Sequence, residues 1–371
     1  MTATMKQNTL KNLPVVMNHY VNESGWRMTL SPACFEGYCR VLAERGYRGV
    51  GLDEAEGYLL EGAPLPPKSV LLTFDDGYAD NYFFALPALR KYGHKAVCFP
   101  VANRIETDAS PRAGLDDLCA GRAGIPPLVR NALVTTPQGF VLRKDVFLNR
   151  GEIAAMERSG VFTLASHCRG HYGVFTGPDY KDFYRPGTQY RTFFRTEAEP
   201  VWGLPNFTVK PGLANRAFIP NPDLVEAVKR LVPQDFDGAA DFFARKDNLR
   251  ALESLVGGFA GSMGRYESEL EQQNRMWREI GEGKAMLEGF LGRKLQTLCW
   301  PWGRHSEAAQ RLARDAGFRI FISVWGGANP PGKALKVHRF ESRERRPGWL
   351  ARQIALRSHP AGAGLLGLVG L

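Results

Sequence analysis

Ser69-Val70-Leu71-Leu72-Thr73-Phe74-Asp75-Asp76-Gly77-Tyr78-Ala79-Asp80 decides how the chain is read. Val70 to Thr73 are apolar or β-branched and predict a strand buried on both faces, as in parallel sheets. Two adjacent carboxylates and a glycine end it. Neighbouring side chains on a strand point to opposite faces. Asp75 and Asp76 can therefore serve one site only where the chain leaves the ladder, and Gly77 permits the tight turn this needs. The carboxyl ends of parallel strands are where α/β folds build their sites. A simple turn that caps the next helix is the alternative reading of Asp-Asp-Gly alone.

Around this strand the pattern alternates. Residues 13–21 predict a short strand with His19 near its end. Ser31-Pro32 is a cap followed by proline, and Phe35, Tyr38, Cys39 and Leu42 continue at helical spacing until Gly46. Residues 81–92 predict a helix ended by Gly93, and 95–101 another buried strand. Strand, helix and strand with short connections predict a parallel α/β barrel. Residues 104–150 are weakly patterned, and Asp116 and Asp117 within them read as solvent-exposed.

A short helix over 151–160 and a strand over 161–165 lead into Ser166-His167-Cys168-Arg169-Gly170-His171. On one turn of helix, histidines at i and i+4 face the same side, which makes this His-x3-His a metal-site candidate. With Asp76 it supplies two imidazoles and one carboxylate, leaving positions for water and substrate. Cys168 is an alternative ligand for a soft metal.

The chain has 371 residues, enough for one enlarged domain or two smaller ones. Its formal charge of +10 favours anionic partners, but no RNA-binding motif, zinc finger or helix-turn-helix pattern accompanies it, so no nucleic-acid partner is expected. The N-terminal residues lack the apolar core of a signal peptide, and no run reaches membrane-spanning length. Six cysteines in so long a chain suit a reducing compartment, so a cytoplasmic location is expected.

In order, these motifs resemble the polysaccharide deacetylases, the NodB-like enzymes of carbohydrate esterase family four. The likeness covers residues 13–106, 151–171 and 267–325. It implies that Asp75 is the general base and that Asp76, His167 and His171 hold a divalent metal, zinc first and nickel or cobalt as alternatives. The family carries serine or threonine where Cys168 stands. His19-Tyr20-Val21 is similar to the opening of the poly-N-acetylglucosamine deacetylase branch, whose motifs are permuted and whose early histidine is the general acid. The branch has tyrosine where this chain has Asn18, and His338, near a late strand, is the rival acid. Cys299-Trp300-Pro301-Trp302-Gly303 is similar to the branch's aromatic-Tyr-Pro-Tyr-Gly motif, and by that likeness the Trp302 backbone N–H assists the oxyanion. Cys299 stands where many members place an arginine that orients the base. A Pro-Gly turn with core tryptophans accounts for residues 299–303 taken alone.

The expected architecture is a single α/β domain over 1–371, a distorted (β/α) barrel of NodB type, with 172–270 as an insertion or subdomain. That insertion reads as mostly irregular chain, then helices over 222–232 and 239–256. Its aromatics, Tyr180, Phe183, Tyr184, Tyr190, Phe193, Phe194, Trp202 and Phe207, pack a lid or form a sugar-stacking wall with Arg185, Arg191 and Arg195. A long amphipathic helix over 267–291 carries Leu270, Ile280, Met286, Leu287 and Leu291. In the basic tail 341–371, Trp349, Leu350 and Ile354 share a helix face that suits an anionic membrane surface. The expected activity is metal-dependent removal of N-acetyl groups from amino sugars of a polysaccharide or a lipid-linked glycan. A catalytically silent glycan-binding protein and a small-molecule amide hydrolase are the alternatives.

Overall fold

The computed structural model describes residues 9–25, 28–124, 133–136, 139–186, 196–197 and 201–368. Ser69–Asp76 lies at the centre, paired in parallel with Val15–Asn18 and with Ala96–Pro100. The sheet runs Phe340–Glu341, Val15–Asn18, Ser69–Asp76, Ala96–Pro100, Phe162–Leu164, and Arg48–Gly49 joins the start of the central strand. Single parallel bridges, Ser166 to Leu298 and Ile322 to Val337, extend the path through the paired strands Thr297–Cys299 and Ile320–Ile322. The path is that of a distorted (β/α) barrel, with part of its wall held by isolated bridges.

The central strand separates two apolar layers by its period of two. Val70, Leu72 and Phe74 pack with Phe35, Tyr38 and Tyr82 on the helix side. Leu71 packs with Val15, Val97, Phe99, Ile320 and Ile322 on the other. Asp75 falls on Leu71's face and so points where the strands converge. The helix Pro32–Glu44 begins as its sequence predicts, with the Ser31 hydroxyl accepting the Cys34 N–H at 3.2 Å. Residues 47–64 contain a short strand and the helix Leu52–Glu56, where sequence patterning predicted neither. Asp116 and Asp117 are exposed, as expected.

The segment after His171 is more regular than its glycines and prolines suggested. Gly173–Phe183 and Pro205–Pro211 form an antiparallel hairpin, with a register shift between Phe175 and Tyr180. Gly177 and Pro178 lie in that shift, where an unpaired backbone is tolerated. Phe218–Pro220 pairs with Gly264–Tyr266. One helix spans Pro222–Leu231, and the helix expected over 239–256 is instead two, Phe236–Ala244 and Lys246–Gly257, broken at the extended Arg245. Phe183, Tyr184, Trp202 and Phe207 are buried in a hydrophobic cluster of this segment's own, with Leu224 and Leu252. Their apolar faces are spent on packing, and Tyr180 is the more exposed ring. Tyr190, Phe193, Phe194, Arg191 and Arg195 lie outside the described residues.

Two expectations about the C-terminal third change. Glu269–Leu291 is helical throughout, but through a wider π turn at Arg278–Glu282, and Leu270 on it is exposed. In the helix Gly348–Arg357, Leu350 and Ile354 are buried in the main core and Arg357 lies over the Phe340 ring. The face that suggested a membrane surface is covered by protein, which removes that ground for membrane contact. Among the described residues no helix is long and apolar enough to cross a membrane.

Candidate active site

Asp75 and Asp76 close the central strand, opposite Phe99 and Pro100. Strand alternation would send Asp76 to the helix side, but its φ of 69° is left-handed and swings its carboxylate back toward the strand ends. Gly77 follows at φ 74°, and a Cβ there would lie 2.7 Å from Pro100, so only glycine fits this turn.

The two carboxylates meet different partners. Arg339 donates to both oxygens of Asp75, at 2.7 and 2.8 Å, in the two-pronged geometry that planar guanidinium favours. The same arginine donates to Thr73, to the Ser323 carbonyl and to the Cys299 sulfur. Burial raises the Asp75 pKa, but Arg339 and His167 outweigh it and hold the carboxyl at about 2. Asp76 Oδ1 is buried with no hydrogen-bond partner. It faces His171 Nε2 at 3.7 Å and His167 Nε2 at 3.8 Å, with Arg104 Nη1 at 3.6 Å, beyond hydrogen-bonding range.

The histidines are not on a helix. His167 follows the strand end, and the chain turns through left-handed backbone at Cys168 (φ 64°) and His171 (φ 60°), which brings the rings within 4.9 Å. His167 Nδ1 bonds the Cys299 carbonyl at 2.8 Å, which aims Nε2 at Asp76. Burial drives both imidazoles toward the neutral form that can ligate, His171 to about 3. Asp76, His167 and His171 thus present three donors within 4.8 Å of one another. Donors around a four-coordinate ion at ~2.1 Å stand roughly 3.4 Å apart, so an unpartnered carboxylate oxygen and two neutral imidazoles at these spacings fit a divalent metal. Cys168 is buried and belongs to neither donor group. Asp75, His167 and Cys299 also lie close, but Arg339 occupies that set.

Residues 62–185 match the family model described as polysaccharide deacetylase. Over that span the chain is similar to the polysaccharide deacetylases. The Bacillus subtilis (strain 168) protein YxkH, provisionally named a polysaccharide deacetylase, is 36% identical over 104 residues, 28% of this chain and 37% of its own length. The poly-β-1,6-N-acetyl-D-glucosamine N-deacetylase of Escherichia coli (strain K12) is 29% identical over 134 residues, 36% of this chain and 17% of its own. The matches thus span well under half of these relatives. Among solved structures, a de-N-acetylase from Aggregatibacter actinomycetemcomitans covers 89% of this chain and 94% of its own, at TM-score 0.57 and 19% identity. IcaB from Ammonifex degensii covers 93% and 97%, at TM-score 0.53 and 19% identity. Both likenesses concern the fold.

The remaining candidates divide by position. His19 Nε2 stands 3.9 Å from Asp75 Oδ2, and its Nδ1 is buried without a partner. Its backbone is held by Asn81, which donates to the His19 carbonyl at 2.9 Å, and Asp80 accepts the Val21 N–H at 3.1 Å. Asn18 donates to the Thr73 carbonyl and accepts from Ser342, tying three strands together. His338 instead bonds the Trp325 carbonyl at 3.0 Å and makes no ion pair with either aspartate among the described residues. Trp302, at φ 61°, stacks on His171 at 5.5 Å and donates its indole N–H to the His171 carbonyl at 3.3 Å. Trp300 is the core tryptophan, stacked on Phe321.

Sequence reasoning missed two residues. Arg339 supplies the cation that Cys299 cannot, and it follows His338 directly, in a segment already singled out. The missing arginine at 299 was the signal that another cation had to face Asp75. Glu279 holds the histidine loop: its Oε2 accepts the Gly170 and His171 N–H groups at 3.1 and 3.2 Å. Inside an amphipathic helix it gave no local signal.

Proposed function

We propose that this domain hydrolyses N-acetyl groups from the amino sugars of a polysaccharide, with poly-β-1,6-N-acetylglucosamine the first substrate to test. The unpartnered Asp76 oxygen facing two neutral imidazoles, beside an arginine-locked Asp75, carries the reading. Asp76, His167 and His171 would hold a divalent ion, zinc first, with nickel or cobalt as alternatives. Such an ion polarises an acyl oxygen and acidifies water.

Asp75 is ionised at neutral pH and takes a proton from the attacking water. A carboxylate held at about 2 is a weak base, and what Arg339 supplies is a fixed orientation. The Trp302 backbone N–H assists the oxyanion, and its stacked ring keeps His171 in place. His19, beside Asp75, gives the leaving amine its proton. The E. coli relative's named substrate supports the choice of sugar. Six unpaired cysteines, five of them buried, support a reducing, cytoplasmic setting.

The test is acetate release from a panel of N-acetylated oligosaccharides and lipid-linked sugars. Release should stop on chelation and return with zinc. Glycan binding without release by zinc-loaded protein would make this a silent glycan-binding protein. Activity confined to free acetamides would make it a small-molecule amide hydrolase.

A further inference from the structure

The loop Ser166–His171 places its second histidine by way of two non-glycine residues in left-handed backbone, Cys168 and His171. Such conformations persist only where the surroundings enforce them. Among the described residues the Cys168 thiol takes part in no hydrogen bond, so the enforcement comes from elsewhere. Glu279 lies in the π turn Arg278–Glu282, a widened helical turn of the kind that recurs at functional positions. Its carboxylate accepts the Gly170 and His171 N–H groups, and its backbone carbonyl accepts the Arg169 N–H at 2.8 Å. Three successive loop amides are thus held by one residue. Four residues on, Gly283 lets the helix touch the loop: a Cβ there would stand 2.5 Å from the Arg169 nitrogen and 2.7 Å from the Cys168 carbonyl carbon. Glu279 is 5% exposed and contacts neither Asp75 nor Asp76 among the described residues. A buried acid is retained where its bonds are worth the desolvation.

We propose that Glu279 is a positioning residue, whose carboxylate clamps the Gly170–His171 backbone so that His171 Nε2 meets Asp76. The role at the metal rests on the reading of His171 as a ligand, but the clamp itself can be read without metal. Three variants test it: Glu279→Ala removes the acceptor, Glu279→Asp withdraws it by one methylene, and Glu279→Gln keeps an amide oxygen in place. In chelator-treated protein, Gly170 and His171 amide hydrogen exchange should speed up in Glu279→Ala and Glu279→Asp and stay near wild type in Glu279→Gln. Zinc affinity, by chelator competition, should fall ~10–100-fold in the first two, the usual cost of losing support behind a ligand. The visible spectrum of the cobalt-loaded protein should shift with it.

Unchanged exchange, or unchanged zinc affinity and cobalt spectrum despite a lower Tm, would overturn the proposal and leave Glu279 a purely structural acid. Should Glu279→Ala fail to fold, Glu279→Asp decides. Wild-type protein that binds no zinc would refute the metal centre, while amide exchange would still judge the clamp.

Discussion

Asp75 and Asp76 are neighbours of one type, both near the end of one strand, yet their surroundings differ in kind. On the Asp75 side every oxygen is claimed by a guanidinium that is itself fully enclosed. On the Asp76 side an oxygen that takes no hydrogen bond faces two imidazoles, with Arg104 Nη1 3.6 Å away. The first arrangement fixes a charge and a direction. The second keeps coordination capacity in reserve. A site that must both orient a base and hold a cation needs both, and a single left-handed residue is what separates them.

Exchanging the carboxylates one at a time should break the pair most visibly. Asp75→Asn should retain zinc and lose ~10²–10⁴ in rate, the usual cost of removing a general base. Asp76→Asn, like His171→Ala, should lose most bound zinc and turnover together. Elemental analysis beside acetate release separates the cases. An Asp75→Asn enzyme of near-normal rate, or undiminished zinc in His171→Ala, would erase the distinction.

The enclosed side can be tested for stability. Arg339→Met strands the buried Asp75 carboxylate and should cost ~3–5 kcal/mol, as for one partner removed from a buried ion pair. Adding Asp75→Asn should recover much of that loss, because the stranded charge is gone. Denaturant unfolding of the four proteins in the cycle measures the coupling. Additive losses would mean that the pair is not the clamp described.

A smaller effect concerns the proton donor. Amines leave poorly unless protonated, so His19→Ala should suppress hydrolysis of an N-acetyl sugar while sparing part of the activity on an activated acetate ester. His338→Ala, bonded away from both aspartates, should be mild on each. The reverse pattern would transfer the role to His338.

The smallest effect expected is one of pH on the chelator-treated protein. Burial holds His171 near 3 in the fold against 6.5 unperturbed, so between those values the unfolded chain binds more protons. The His171 contribution to stability should therefore decline as pH falls from about 6.5 toward about 3, while the Asp80 carboxyl, raised by burial to about 7, contributes the opposite slope below pH 7. Asp75, at about 2 against 3.8, adds a further loss only below pH 3.8. His171→Ala should flatten the upper part of that decline. A pH profile of thermal unfolding that is the same in His171→Ala and in the unsubstituted protein would contradict the burial of a neutral imidazole.

What could be read from the sequence was local. Val70 to Thr73 followed by Asp-Asp-Gly predicts a strand ending in a turn because apolar run, carboxylates and glycine are contiguous. The His167/His171 pair was found by spacing, although the assumed helical turn is a left-handed loop whose geometry Glu279 and Gly283 impose from outside. The hairpin Gly173–Phe183 was hidden because Gly177 and Pro178, ordinary turn residues, sit in a register shift instead. Arg339 was harder to find for a different reason: nothing near Asp75 in the chain indicates a partner 264 residues away, and the missing arginine at 299 asks for a cation without saying which.

That separation also sets a schedule. A ribosome adds ~5–20 residues per second, so roughly 13–50 s pass between the emergence of Asp75 and that of Arg339. For that interval the nascent chain carries a carboxylate destined for burial with no counterion to receive it. The central strand must wait, hydrated or protonated, until Arg339 has been made. Nascent chains halted before residue 339 should accordingly be cleaved by protease near the Asp75 strand, and the released 371-residue chain should resist.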